Sequence, residues 1–155
     1  MEKGWETWKK ICEKYDDNYD LYVLGDGECP GKVKKIPVSV AKDGPNAMID
    51  AIRKNEIDIA FLWSTVPETY SYTFFESYVS GCYVLTNERS GNICCMTKQY
   101  ECGKVLENDE SLFEYLDDAQ KVVGDIQKMY AKKKVHPVGL ENNDEILALI
   151  KGERS

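Results

Sequence analysis

Apolar residues recur at three- and four-residue steps through Trp5, Trp8, Cys12 and Tyr15, with Glu6, Lys9, Lys10 and Glu13 between them. That spacing predicts an amphipathic helix at the start of the chain. The pattern then changes period. Leu21-Tyr22-Val23-Leu24 reads as a short buried strand, and the turn-forming run from Gly25 to Gly31 as the loop at its carboxyl end. Ile36 to Val40 predicts a second strand, Asp43 to Asn46 a helix entry, and the helix itself continues to about Lys54. A third strand is expected over Ile57 to Leu62. A loop with Trp63, Ser64, Thr65 and Pro67 leads to a helix from about Tyr72 to Ser80, which Gly81 ends before a strand at Cys82 to Leu85. Beyond Gly91 the pattern weakens to an edge strand near Gly103 to Leu106. A helix starting near Glu110 then keeps Leu112, Tyr115, Leu116, Ala119, Val122, Val123 and Ile126 at helical spacing. After a break at Pro137 and Gly139, Asn143 to Lys151 predicts a final short helix.

Strands separated by helix-length segments pair in parallel through crossover connections. The expected fold is therefore α/β, a Rossmann-like open parallel sheet with helices on both faces. With 155 residues, no internal repeat and no linker, the chain is expected to form one domain over 1–155. A net charge of −7 argues against nucleic acid as a partner, because that role draws its affinity from clustered cations. The one basic run, Lys132-Lys133-Lys134, reads as a solvated helix end. No apolar run approaches the roughly 18–20 residues that span a bilayer, and the first residues lack the apolar core of a signal peptide, so the expected compartment is the cytoplasm. The six cysteines contain no C-x-x-C pair, and the one histidine, His136, stands in a late loop before Pro137. A metal site is not expected, and the cysteines read as reduced, partly buried thiols. Gly25-x-Gly27 is not a dinucleotide fingerprint, since Pro30 stands in place of the third glycine.

Ligands of an open parallel sheet bind at the carboxyl ends of the strands, where helix N-termini point N–H groups outward. Three loops lie there: Gly25 to Gly31, Val40 to Pro45, and Trp63 to Ser71. The third carries the richest chemistry. Glu68 precedes a helix, and Glu76 lies inside that helix beside Phe74, Phe75, Tyr78 and Val79. A glutamate among apolar neighbours is either satisfied by a buried partner or held for a polar ligand. Between the two, Tyr70, Ser71, Tyr72 and Thr73 bring N–H groups and hydroxyls to a helix start, which suits a phosphate. By spacing alone, the same residues fit a helix capped by Thr69 or Ser71 with two surface glutamates equally well.

The run Pro67-Glu68-Thr69-Tyr70-Ser71-Tyr72-Thr73, continued by Phe74-Phe75-Glu76 and on to Leu85, resembles the E-x7-E block of retaining GT-B glycosyltransferases of the group 1, family 4-like type. Glu56 to Ser64 is similar to the strand and loop that precede that block, Tyr22 to Gly27 to a glycine-rich strand end, and Lys3-Gly4 to the pair that opens the first helix. The resemblance runs from Lys3 to Leu106. It implies the C-terminal, nucleotide-sugar-binding half of a GT-B fold. Glu76 would accept hydrogen bonds from the ribose, Glu68 would contact the transferred sugar, and Lys3 would neutralise the diphosphate. Thr69, Tyr70, Ser71 and Tyr72 would complete the sugar and phosphate site, with Val40 and Ala41 near the base.

The resemblance further implies a UDP- or GDP-sugar donor, no required metal or other cofactor, and retaining transfer to a glycan or lipid-linked glycan. No catalytic residue is assigned within this half. An N-terminal acceptor domain or partner subunit is implied, with peripheral membrane association through that half, so the chain alone is expected to bind without turnover. The sequence departs from the family pattern in lacking the strand ahead of Lys3-Gly4, and Ser90-Gly91-Asn92 stands where an acidic segment often follows. A different class of function, a catalytically degenerate scaffold or interaction module of the same fold, is the alternative expectation.

Overall fold

The computed structural model describes residues 4–27 and 30–135. Lys3, Cys29, His136 and the expected helix over Asn143 to Lys151 lie outside the described residues. The elements alternate as expected: α1 (Trp5–Tyr15), β1 (Tyr22–Leu24), β2 (Lys34–Ile36), α2 (Val40–Asp43), α3 (Ala47–Lys54), β3 (Ile59–Phe61), α4 (Tyr72–Ser80), β4 (Tyr83–Asn87), α5 (Asn92–Gln99), β5 (Gly103–Leu106), α6 (Asp109–Asp117) and α7 (Ala119–Val135). Every strand pair is parallel, with Tyr22 opposite Lys34, Ile59 opposite Tyr83 and Val84 opposite Gly103. The single open sheet expected from the sequence is divided in two, however, one sheet of order β1-β2 and one of order β3-β4-β5.

β4 is the centre of the larger sheet, and all five of its residues are buried. Successive side chains of a strand point to opposite faces, so a strand buried at every position is covered on both. The core around it gathers Phe74 from α4, Ile93 from α5, Leu112 and Leu116 from α6, and Val122, Ile126 and Met129 from α7. α1 joins this core through Ile11, Cys12 and Tyr15. Its far end is fastened to α6, because the Tyr15 hydroxyl donates to Asp117 Oδ1 (2.7 Å) and the Tyr19 hydroxyl to the Leu116 carbonyl (2.8 Å). Trp5 and Trp8 are only half-buried, and the buried face of α1 is made by Thr7, Ile11, Cys12 and Tyr15.

Three further boundaries differ from the sequence pattern. The second strand lies at Lys34–Ile36, and Val40 opens a four-residue helical turn. The long helix expected from Glu110 is two helices, broken where the Asp118 carboxylate accepts the Lys121 N–H (3.0 Å) and so caps α7. The break leaves Leu112, Leu116, Val122 and Ile126 all in the core, which is why apolar spacing alone hides it. Finally, α5 fills the stretch after Gly91 where the pattern faded, its buried face made of Ile93, Cys94 and Thr97. A cysteine and a threonine give too little hydrophobic contrast to mark a helix face. No disulfide joins two of the described cysteines; Cys12, Cys82, Cys94 and Cys102 are buried and Cys95 is exposed. Among the described residues, no helix is long and apolar enough to cross a membrane.

Candidate functional site

The loop from Trp63 to Ser71 and the helix it feeds are defined by local chemistry at both ends. Ser71 caps α4, its hydroxyl accepting the Phe74 N–H at 3.3 Å from an extended backbone (φ −132°). Gly81 closes the helix in the left-handed region (φ 96°), and the Cys82 N–H returns to the Ser77 carbonyl at 3.0 Å. Over the next crossover, Gly91 (φ 64°, ψ −122°) starts α5. A Cβ at Gly91 would stand 2.8 Å from both the nitrogen and the oxygen of Glu68, so only glycine lets these two backbones approach. In return the Asn92 N–H donates to the Glu68 carbonyl at 2.8 Å, and Glu68 and Gly91 form a parallel bridge.

Beneath this loop lies a buried polar network that the sequence reading did not single out. Ser64, Thr86, Asn87 and Ser90 are at most 5% exposed. Thr86 donates to the Leu62 carbonyl (2.7 Å), Asn87 Nδ2 to the Ser64 carbonyl (2.9 Å), and the Ser90 hydroxyl to Asn87 Oδ1 (3.0 Å). These bonds tie the carboxyl ends of β3 and β4 together and hold the loop at a fixed height above the sheet. Small hydroxyl and amide residues at strand ends look like ordinary turn formers in a sequence. Only their mutual placement reveals the network.

A cavity of about 180 Å³ opens at these strand ends, lined by Trp63, Ser64, Glu68, Ser71, Thr73 and Ile93 among others. It lies where the N-termini of α4 and α5 converge. The first N–H groups of each helix have no intrahelical acceptor, so both helix ends offer donors and positive dipole ends to this space. Trp63 is fixed from the other side, because its indole N–H donates to Asp109 Oδ1 (3.1 Å), which also accepts from the Thr7 hydroxyl (3.0 Å). Gly4, at the head of α1, packs against Trp63, and a Cβ there would stand 2.7 Å from the Trp63 Cβ.

The residues singled out from the sequence fall in different places. Glu68 and Ser71 line the cavity. Glu76 lies one helical step behind, half-buried in α4, with no side-chain hydrogen bond or ion pair to a described residue, and burial pushes its carboxyl above the ordinary glutamate range. Thr69, Tyr70 and Tyr72 are exposed around the rim; Tyr70 stacks on Phe75 at 5.2 Å and meets Tyr72 edge-on at 4.9 Å. Val40 and Ala41 are exposed on α2, in the crossover after β2, and neither lines the cavity. Lys3 is outside the described residues. Among the described residues no group of His, Cys, Asp and Glu is placed to hold a metal ion. Comparisons with protein-family models, with characterised proteins and with solved structures return no match to this chain.

Proposed function

We propose that this chain is the nucleotide-sugar-binding half of a retaining GT-B-type glycosyltransferase, a Rossmann-like domain that works in the cytoplasm. The observation that carries the reading is Glu76: a half-buried carboxylate in α4 with no side-chain partner among the described residues, eight residues beyond a glutamate that lines a cavity at the strand ends. An unpaired, partly desolvated acceptor is costly unless it serves a ligand with hydroxyl donors. A ribose supplies two adjacent hydroxyls of that kind.

In this reading the donor spans the junction of α4 and α5. The ribose hydroxyls donate to Glu76, and the transferred sugar donates to Glu68. The diphosphate rests against the N-terminal N–H groups around Tyr70, Ser71 and Tyr72, with Thr69 beside it and Lys3 as countercharge. Charge on the leaving nucleoside diphosphate grows as the glycosidic bond breaks, and a helix N-terminus favours that growth. Val40 and Ala41, on α2 in the crossover after β2, lie near the base. The donor is a UDP- or GDP-sugar and needs no metal.

A cavity of about 180 Å³ is smaller than the roughly 300–1,000 Å³ of a complete small-molecule site. That size fits half a site, closed over the donor by an acceptor domain or partner subunit that brings the glycan or lipid-linked glycan. The chain alone then binds donor and does not transfer sugar. The test is calorimetric titration of the chain with UDP, GDP, ADP and their sugar conjugates. One nucleotide should bind selectively, and Glu76→Ala should weaken it about ten- to a hundredfold, the range of one or two hydrogen bonds to a charged group. Equal affinity for wild type and Glu76→Ala, or no binding at millimolar nucleotide, would sink the proposal.

A further inference from the structure

The carboxyl end of β3 is held in two ways. Its backbone is bonded to β4: the Leu62 N–H donates to the Leu85 carbonyl (2.9 Å), the Leu62 carbonyl accepts from the Thr86 hydroxyl (2.7 Å), and the Ser64 carbonyl accepts from Asn87 Nδ2 (2.9 Å). Trp63, between Leu62 and Ser64, is held by its side chain. The ring is 5.5 Å from that of Phe61 and nearly parallel to it, and the indole N–H donates to Asp109 Oδ1 at 3.1 Å. Trp63 is buried, and a buried donor that loses its acceptor is costly.

Asp109 is the first residue of α6, but it is not the cap of that helix. Asn108 is, its side chain accepting the Ser111 N–H (3.0 Å) while the Ser111 hydroxyl accepts the Asn108 N–H (3.2 Å). The Asp109 carboxylate is turned instead to β3 and α1. Besides the indole, it faces the hydroxyl of buried Thr7, which lies 3.0 Å from Oδ1 and 2.9 Å from Oδ2. A hydroxyl has one proton, so Thr7 is shared between the two oxygens. The Lys10 ammonium stands 3.6 Å from Oδ2, and its largely exposed side chain makes that pair weak. The two short bonds are thus to Thr7, which joins α6 to α1, and to Trp63, which joins α6 to the end of β3.

We propose that Asp109 is a positioning residue of the cavity: by holding the Trp63 indole it fixes the strand end from which the Glu68 loop leaves, and so sets the affinity for the donor. Trp63, Ser64 and Glu68 line the cavity, whereas Asp109 does not. Backbone bonds to a single neighbouring strand leave a strand end free to roll about them, and an anchored side chain removes that freedom. The anchor is specific in kind. It needs an oxygen acceptor at this place, not a negative charge, because the group it holds is a neutral N–H. Sites whose lining is held by such outer contacts lose affinity when the contact is cut, although the ligand never touches it. The role in donor binding rests on the nucleotide-sugar reading; the hold on Trp63 does not.

The experiment is run on the full chain in two arms. In the first, without ligand, nuclear magnetic resonance of the tryptophan indole groups follows the Trp63 N–H, recognised by its absence in Trp63→Phe. Asp109→Ala should make that proton exchange with water about tenfold faster, and Asp109→Asn, which keeps an oxygen acceptor and loses the charge, should restore slow exchange. In the second arm the variants are titrated with UDP, GDP and their sugar conjugates. Asp109→Ala should weaken the nucleotide that wild type binds about tenfold, the scale of one hydrogen bond to a charged acceptor. Trp63→Phe should lose as much, and the double variant no more than either alone, because both break one bond. Asp109→Asn and Thr7→Val should bind as wild type does, although each lowers the thermal midpoint. Where Asp109→Ala does not fold, Trp63→Phe against Asp109→Asn makes the same comparison, a broken bond against a kept one. The proposal is overturned if Asp109→Ala leaves the Trp63 N–H unchanged, if the losses of Asp109→Ala and Trp63→Phe add, or if affinity simply follows the midpoint through the series, which would make Asp109 a structural tie. Those results leave the nucleotide-sugar reading standing. No binding by wild type overturns that reading, and the donor role of Asp109 with it.

Discussion

Two residues show how far a side chain's role depends on what surrounds it. Glu76 has a carboxyl raised by burial, so ionising it costs the folded state: its stability contribution is fully present below its unfolded pKa and is lost as pH rises through the folded one. A ribose hydroxyl donates to the ionised form. Affinity for an intact nucleotide sugar should therefore increase as pH rises through the upper carboxylate range and level off toward neutrality. Calorimetry across that range checks it, and Glu76→Gln should flatten the profile. Gly91 is the opposite case, a residue with no side chain whose effect is entirely steric. Gly91→Ala places a Cβ against the Glu68 backbone at a positive φ and should cost about 1–3 kcal/mol, read as a lower thermal midpoint. If the midpoint is unchanged, the close approach of the two loops is not a constraint. Both residues were visible in the sequence, but for different reasons. Glu76 stood out as a charge among aromatics, while Gly91 read only as a turn former, because the backbone it must admit arrives from more than twenty residues away.

At the scale of elements, α4 was predicted with the boundaries it has, because its limits are local: a serine cap, apolar positions at helical spacing, and a glycine that closes it. Ser71→Ala removes the acceptor for the Phe74 N–H and should destabilise the chain by about 0.5–2 kcal/mol in urea unfolding. It should also weaken nucleotide binding, since the same turn presents the N–H groups. Loss of stability with full binding would separate the cap from the site. Where an element's limit is set by tertiary contact, the sequence misled. The break at Asp118 preserves the apolar spacing of α6 and α7, and α5 is held by packing of Ile93, Cys94 and Thr97 rather than by a strong periodic stripe. The polar network of Ser64, Thr86, Asn87 and Ser90 escaped notice for the same reason: its members come from two crossovers and meet only when β3 and β4 pair.

At the scale of the whole molecule, stability should be uneven. β4 is buried on both faces, while β1 and β2 form a separate pair with half-buried or exposed residues and no hydrogen bond to the larger sheet. Amide exchange in the chain alone should be slowest in β4 and fastest, among the strands, in β1 and β2. Equal protection in both sheets would mean that they open as one cooperative unit. The sequence by itself determined the alternation of helices and strands, the parallel pairing that alternation requires, and the single most suggestive loop, because periodicity, caps and turn residues act over a few neighbours. Only the tertiary structure decided that the described strands fall into two sheets and that Glu68 is pinned by Gly91. Those features arise from backbone pairing and close approaches between distant segments, and neither has a signature in the identity of any single residue.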